Sequence, residues 1–149
     1  MRSVLISLVV AALLAVGFAP AGNAGAQTVV TPEAGSASAI PPIVWNLIAF
    51  PGVGQITEPG RYTVQFLQDG QVSARADCNW VAGLWTATGG ALDVTITQST
   101  LAGCPEDSLE QPFTMALHEA TSYTLDGFLL TISGPSGTMQ FAPEMPAMA

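Results

Sequence analysis

The amino-acid sequence predicts a mainly β domain, an antiparallel sheet of eight strands with one inserted helix. Apolar and polar residues alternate with a period of two between residues 43 and 141. Turn dipeptides such as Asp69-Gly70 and Asp126-Gly127 separate the alternating runs. Strands and helices do not alternate in the way that a parallel sheet requires. Eight strands are enough to close into a barrel, and a curled open sheet packed on the helix would give the same pattern.

The first 26 residues have the parts of a secretory signal peptide. Arg2 supplies the positive charge, an apolar run extends from Val4 to Ala19, and Ala24-Gly25-Ala26 fits an A-x-A cleavage site. The apolar run is shorter than the ~20 residues that a membrane-spanning helix needs. We therefore predict cleavage after Ala26, no stable membrane insertion after cleavage, and a protein secreted to the extracellular space or the periplasm.

Two segments flank the predicted domain. Residues 27–42 are rich in Pro, Ala and Ser and carry one charge, so they cannot bury enough apolar surface to offset their ordering entropy. We predict that residues 27–42 form a disordered linker and that residues 142–149 form a flexible tail. The folded domain is expected to span residues 43–141.

Five strands are predicted before the helix, near residues 43–50, 62–66, 72–78, 80–88 and 92–96. The first is apolar on both faces and could be covered on both sides. In the fourth, Trp80 and Trp85 point to opposite faces, and Gly83 between them indicates a bulge or a bend. Trp45, Trp80 and Trp85 are expected to be core residues rather than a platform for a ligand.

An apolar stripe with helical spacing follows the fifth strand: Phe113, Ala116, Leu117 and Ala120. Asp107 and Glu110 have the spacing of a capping box, but Pro112 would then lie too deep in the first turn. Regular helix is therefore expected from about Gln111. Three further strands complete the sheet, near residues 123–125, 128–132 and 139–141.

Charge restricts the classes of partner. After residue 26 the chain holds two arginines, no lysine and eleven acidic residues, a formal net charge of −9. A nucleic-acid partner requires a basic surface that displaces counterions from phosphates, so none is expected. An anionic membrane surface is disfavoured for the same reason. Either of the two cations, Arg61 and Arg75, could pair with Asp77 or anchor an anionic group, and surface ion pairing is the preferred role.

No catalytic, cofactor or metal site is predicted. His118 is the only histidine, and it is expected to face solvent without the partners of a hydrolytic triad. A zinc site also needs more ligands than this histidine and the two cysteines offer at their spacing. Glu106, Asp107 and Glu110 precede a helix, where the macrodipole favours negative charge, so a structural role is preferred to glycoside hydrolysis.

The chain has two cysteines, Cys78 and Cys104. An exported chain with an even cysteine count is expected to form disulfides, and only one intramolecular pairing is available here. In the chain-entropy model it would stabilise the fold by roughly 3–4 kcal/mol. We expect Cys78 to end an inward-facing row of the third strand, with Asp77 pointing outward, so the bond would fix the segment before the helix to the sheet.

Four segments carry motifs that combine into a resemblance. IVWNLIAF contains W-x-L, ADCNWVAGLW contains C-N-x-x-x-G-x-W, ITQSTLAGCP contains T-x-x-x-C-P, and the helical segment contains E-x-x-F-x-x-x-L. Together they resemble the META domain family, the group that includes the heat-inducible HslJ envelope proteins. Asp77, Ala102 and Gly103 stand where that family usually has Gly, Met and Ala. The motif residues, all given structural roles, are Trp45, Cys78, Asn79, Gly83, Trp85, Thr100, Cys104, Glu110, Phe113 and Leu117.

The resemblance implies a small barrel of lipocalin-type topology with a helix, without enzymatic activity or cofactor. It also implies an association with the envelope and with stress or motility, and it makes Asn79 a structural residue that bonds backbone beside the cysteine. We expect a secreted, non-enzymatic domain that helps exported proteins or the envelope withstand stress. One alternative is a carrier with a small apolar ligand inside the barrel, beside Trp85, Tyr62 or Phe128. Another is a protein-binding or inhibitor module that uses residues 49–60 or an exposed face.

Overall fold

In the computed structural model, which describes residues 40–145, nine antiparallel strands form one sheet. The elements are β1 (Val44–Phe50), β2 (Gly54–Gln55), β3 (Tyr62–Phe66), β4 (Gln71–Ala76), β5 (Asn79–Thr88), β6 (Ala91–Ser99), α1 (Glu110–His118), β7 (Ser122–Asp126), β8 (Leu129–Gly134) and β9 (Gly137–Pro143), with a short 3-10 turn at Pro59–Arg61.

The sheet closes into a barrel. From β3 to β9 each strand pairs with the next in the chain, and β1 pairs with both β3 and β9. β2 is an additional short strand that pairs with β1. The predicted fold class is therefore confirmed, and the open-sheet alternative is excluded. The consecutive strand order is that of an up-and-down barrel, consistent with the lipocalin-type topology that the resemblance implies.

The packed domain extends past both predicted boundaries. Ile40 is 1% exposed, so packing begins inside the predicted linker. At the other end, the backbone N–H of Glu144 donates to the carbonyl of Val44 at 2.8 Å, so the pairing of β9 with β1 reaches into the predicted tail. The predicted signal peptide lies outside the described residues. Within residues 40–145 no helix is long and apolar enough to cross a membrane.

Side chains fill the interior of the barrel. The strands contribute their inward faces and α1 contributes its apolar stripe, as predicted. Aromatic rings meet in the middle: the centroids of Phe66 and Trp85 are 4.9 Å apart, and those of Tyr62 and Phe113 are 5.5 Å apart. Burial of these large apolar groups supplies most of the driving force for folding. The largest fully buried side chains include Trp45, Phe66, Phe113, Phe141, Leu47, Leu117, Leu130, Ile132 and Met139.

The helix lies where two neighbouring strands diverge. The pairing of β6 with β7 is limited to Ala91 and Ser122. Beyond that pair α1 packs against β6, and the backbone N–H of Ile96 donates to Nδ1 of His118 at 3.4 Å. The helix begins at Glu110, one residue before the predicted start. Its buried residues cover the core where β6 and β7 separate.

Two irregularities decide which side chains face inward. In β1 the register shifts between Leu47 and Ala49, so Phe50 turns into the core although alternation placed it on the opposite face from Leu47. In β5 the register against β6 shifts at Gly83, which is the predicted bulge. A Cβ at Gly83 would lie 2.0 Å from the carbonyl oxygen of Thr95, so only glycine fits between these strands.

Two aromatic side chains predicted to be inside are at the surface. Trp80 and Trp85 do face opposite sides of β5, but Trp80 is the outward one and is 58% exposed. Phe128 lies in the turn that precedes β8, outside the inward row of that strand, and is 81% exposed. Of the three tryptophans, Trp45 and Trp85 are therefore core residues and Trp80 is not.

The end of β4 also differs from the prediction. The strand stops at Ala76, which pairs with Asn79, so Asp77 and Cys78 form a two-residue turn. Alternation of inward and outward side chains does not continue through a turn. The prediction placed Cys78 inward and Asp77 outward, and the structure has the reverse. Asp77 is buried and Cys78 is exposed.

Candidate functional site

The residues of the cysteine motif form a polar cluster beside the β4–β5 turn. Cys78 and Cys104 form a disulfide with Cα atoms 5.5 Å apart, which confirms the predicted pairing. Asn79 is buried, and its Oδ1 accepts the backbone N–H of Ala102 at 2.7 Å and the hydroxyl of Thr100 at 2.9 Å. Its Nδ2 donates to the carbonyl of Ala102 at 3.1 Å. These bonds fasten the segment after β6 to the first residue of β5.

Asp77 takes the backbone conformation that the motif's glycine would favour. Its φ is 58°, in the left-handed region that non-glycine residues rarely adopt. Its carboxylate accepts Nε of Arg61 at 2.8 Å and Nη2 of Arg61 at 2.6 Å. These hydrogen bonds from the guanidinium hold the pKa of Asp77 below its usual range. The departure from glycine therefore keeps the turn and adds an ion pair.

Arg61 is fully engaged by neighbouring groups. Beyond Asp77, its Nη1 lies 3.1 Å from Glu58 and 3.8 Å from Asp107. The guanidinium carbon also stands 5.8 Å from the ring centroid of Tyr62, within cation–π range. With three carboxylates around it, Arg61 is a poor anchor for an anionic ligand.

The three residues beside which the carrier alternative would place its ligand are either engaged in the core or exposed. Trp85 packs on the core, and its Nε1 donates to the carbonyl of Leu67 at 2.8 Å. Tyr62 is buried, and its hydroxyl accepts the backbone N–H of Leu109 at 2.8 Å. Phe128, the third expected lining residue, points to solvent. The hollows described below are lined by residues of the outer surface.

A polar groove of about 360 Å³ crosses the outer faces of β1, β3, β4 and β5. Its lining includes Asn46, Thr63, Gln65, Ser73, Arg75 and Trp80. A second hollow, of about 250 Å³, lies toward β6 and shares Ser73 and Trp80 with the first. The indole of Trp80 therefore stands between two hollows whose walls combine apolar surface with uncharged polar side chains.

Arg75 is the cation of this groove, and it is the cross-strand partner of Trp80. Its Nε donates to the carbonyl of Asp77 at 3.0 Å. Among residues 40–145, its two terminal nitrogens make no hydrogen bond and no ion pair, although its charge acts on the nearby carboxylate of Asp77. The predicted surface ion pair thus forms at Arg61, whereas Arg75 keeps donors available to a ligand.

A third hollow, of about 460 Å³, lies between β6 and the outward side of α1. Ile96, Met115 and His118 form part of its wall, and Met115 is 56% exposed. His118 is exposed, as expected for its position opposite the buried stripe. Within the described part of the chain, His, Cys, Asp and Glu form no group of three that could hold a metal ion.

Comparisons with known proteins identify the barrel. A model of the META domain family matches residues 39–146. No curated protein matches the chain. A DUF4847 family protein from Bacteroides vulgatus ATCC 8482 superimposes with a TM-score of 0.53 at 16% identity, over 70% of this chain and 94% of that one.

Two structures solved by NMR are similar to the same degree. One superimposes with a TM-score of 0.56 at 19% identity, over 68% of this chain and 89% of the other. The second, from Burkholderia xenovorans, gives 0.55 at 16% identity, over 70% and 83% of the two chains. At these identities the likeness shows the fold alone.

Proposed function

This chain belongs to the META domain family, and from that membership we propose that it is an exported, non-enzymatic domain that helps the envelope or other exported proteins withstand stress. The observation that carries this is the structural use of the motif residues, since Cys78 and Cys104 form the disulfide and Asn79 bonds the backbone of Ala102. The motif residues make structural contacts, so the outer surface is left to interact with other molecules.

Export is supported by two independent features. The disulfide between Cys78 and Cys104 suits an oxidising compartment, where such bonds persist. Residues 1–26 have the charge, apolar run and small-residue site of a secretory signal. Both features favour action outside the cytoplasm.

A non-enzymatic role is supported by the positions of the reactive side chains. Nδ1 of His118 already accepts a hydrogen bond from the backbone N–H of Ile96. Among residues 40–145, no serine or threonine hydroxyl and no cysteine thiol forms a hydrogen bond with His118. Cys104 is held in the disulfide and has no thiolate to act as a nucleophile. Glu106 and Asp107 are exposed, and Asp107 lies 3.8 Å from the guanidinium of Arg61.

Deletion and complementation test this role. A strain that lacks the gene is expected to grow poorly under heat and under envelope-damaging drugs. The full chain should restore growth, a chain without residues 1–26 should not, and His118→Ala should restore growth fully. Unchanged growth of the deletion strain under both stresses would contradict the proposed role. Failure of a His118→Ala chain whose thermal unfolding matches that of the natural chain would contradict the absence of catalysis.

A protein-binding role is favoured by the hollow beside Met115, because its wall is largely apolar and an exposed methionine adapts to varied partners. Affinity capture from the exported fraction should recover a partner with the natural chain and lose it with Met115→Asp. Phe128→Asp is the matched control, since Phe128 is an exposed apolar residue outside the hollow. Equal capture by all three chains would exclude this hollow as the binding site.

A further inference from the structure

Resting on the proposed function, we propose that the groove beside Trp80 binds an acidic saccharide. A sugar ring stacks on the indole of Trp80, and a carboxylate on the sugar pairs with Arg75. This names both a site on the outer surface and a chemical class of ligand for it. Three features of the groove carry the inference, namely the indole, the guanidinium and the polar walls.

The indole of Trp80 is placed to act as a platform. It is 58% exposed on the outer face of β5, where a large aromatic ring gains nothing from the core. A hollow lies on each side of it, toward β3 and toward β6. The C–H groups on one face of a pyranose ring are apolar, so they can cover the indole while the ring's hydroxyl groups extend into both hollows.

Arg75 is oriented for a carboxylate. Its Nε bond to the carbonyl of Asp77 fixes the plane of the guanidinium beside Trp80, and its terminal nitrogens keep their donors unpaired among residues 40–145. The planar guanidinium binds carboxylates through two parallel hydrogen bonds. Arg75 is the only cation in the groove lining. Glu144 also lines the groove and would repel a carboxylate placed beside it. The negative charge of the ligand therefore has one preferred position, at Arg75.

The walls suit hydroxyl groups. Asn46 faces Thr63 across the β1–β3 pair, Thr63 faces Arg75, and Gln65 faces Ser73 across the β3–β4 pair. Amide and hydroxyl side chains both donate and accept hydrogen bonds, as sugar hydroxyls do. The groove volume of about 360 Å³ lies at the lower end of the range for small-molecule sites, ~300–1,000 Å³.

Peptides and nucleic acids fit this surface less well. Each of β1, β3, β4 and β5 is paired on both sides, so an extended peptide finds no free strand edge to join. A nucleic acid carries a dense row of phosphates, which an acidic chain with one free guanidinium repels. A saccharide with isolated carboxylates needs one cation and no strand edge.

Tryptophan fluorescence gives a direct readout, because Trp45 and Trp85 are buried and Trp80 is exposed. The exported chain is titrated at low salt with a short galactose oligomer that carries one galacturonic acid residue and with an all-galactose oligomer of the same length. We expect the acidic oligomer to shift and quench the exposed emission, and to bind about tenfold more tightly than the neutral one.

Matched variants assign the effect to the groove. Arg75→Gln should remove most of the preference for the acidic oligomer, and Trp80→Ala, followed by calorimetry, should lose binding of both. Leu84→Ala is the control, since Leu84 is 57% exposed on the same strand and lies outside both hollows. The thermal unfolding of each variant confirms that it folds.

Three results would overturn the inference: no binding of the acidic oligomer, equal binding of the two oligomers, or unchanged binding in Trp80→Ala and Arg75→Gln. Failure here is distinct from failure of the proposed function. A chain that restores growth without binding the saccharide overturns this inference alone. A chain that binds the saccharide, but whose deletion leaves growth unchanged, contradicts the stress role alone.

Discussion

Asp77 and Arg61 are bonded to each other through both side chain and main chain. The guanidinium meets the carboxylate at 2.8 and 2.6 Å, and the backbone N–H of Asp77 donates to the carbonyl of Arg61 at 2.7 Å. Asp77 is held in the left-handed region while it makes these bonds. The contacts explain how an L-residue persists at a position where the family motif has glycine.

Substitution of Asp77 separates the backbone strain from the ion pair. Asp77→Ala and Asp77→Gly both lose the ion pair, but only alanine keeps the left-handed strain. Asp77→Ala should therefore be less stable than Asp77→Gly by about 1–2 kcal/mol. Urea unfolding of the two variants at neutral pH measures the difference. Equal stabilities would show that the positive φ at this turn is absent in solution.

The same carboxylate predicts a pH dependence. Its pKa is lowered in the folded state, so its contribution to stability is present above the unfolded pKa of about 3.9 and is lost as pH falls through the lower folded value. The natural chain should lose stability more steeply below about pH 4 than Asp77→Asn. Thermal unfolding across this range measures both curves, and parallel curves would rule out a contribution from Asp77.

Loss of the disulfide is expected to destabilise the barrel without changing its topology. Cys78 and Cys104 are separated by 26 positions, and in the chain-entropy model a closed loop of that size contributes about 3–4 kcal/mol. The variant Cys78→Ser/Cys104→Ser should unfold at a lower urea concentration, and its free energy of unfolding should be smaller by about 3–4 kcal/mol. Mass spectrometry of the exported protein supplies the control, because reduction should add two hydrogens. Free thiols in the natural exported chain would contradict the bond.

Asn79→Ala should destabilise by about 2–3 kcal/mol, since it removes bonds that satisfy both backbone groups of Ala102. Gln98→Ala, at an exposed position on β6, is the control and should change stability by about 0.5 kcal/mol or less. Chemical denaturation compares the two. Similar losses of unfolding free energy in the two variants would mean that water replaces the hydrogen bonds of Asn79 at no cost in stability.

Gly83→Ala is expected to strain the β5–β6 pair. The added methyl group would lie 2.0 Å from the carbonyl oxygen of Thr95, and the strands must separate to admit it. Overpacking of this kind costs about 1–3 kcal/mol. Gly103→Ala is the matched control, because a Cβ there meets nothing within 4 Å. Thermal unfolding should distinguish them, and equal midpoints would show that the bulge can open freely.

Sequence patterns predicted the strands well where pairing is local. Tyr62, Val64 and Phe66 alternate strictly, and the Asp69-Gly70 turn fixes the next strand against them. The sequence does not predict closure of the barrel, because closure depends on the pairing of β1 with β9, which lie at opposite ends of the domain sequence. No local pattern reports such a distant pairing, and the register shift after Leu47 hides the inward position of Phe50.

The Arg75–Trp80 groove was missed for a reason that can be traced to one turn. Alternation that continues to Cys78 hides the turn, and a tryptophan in a strand is more often a core residue than a surface one. Aspartate tolerates left-handed backbone, so Asp77-Cys78 could have been interpreted as a two-residue hairpin turn. That turn places Arg75 opposite Trp80, and it would have put both side chains on the outer face.

The hydrogen bond between Glu144 and Val44 means that the chain enters and leaves the barrel at adjacent points. A short linker could therefore join the two ends of the domain. A circular permutant opened at Asp126-Gly127 should fold to the same barrel, because both residues of that turn are exposed. The domain is also suited to insertion into a surface loop of a host protein, where both junctions would fall at a single site.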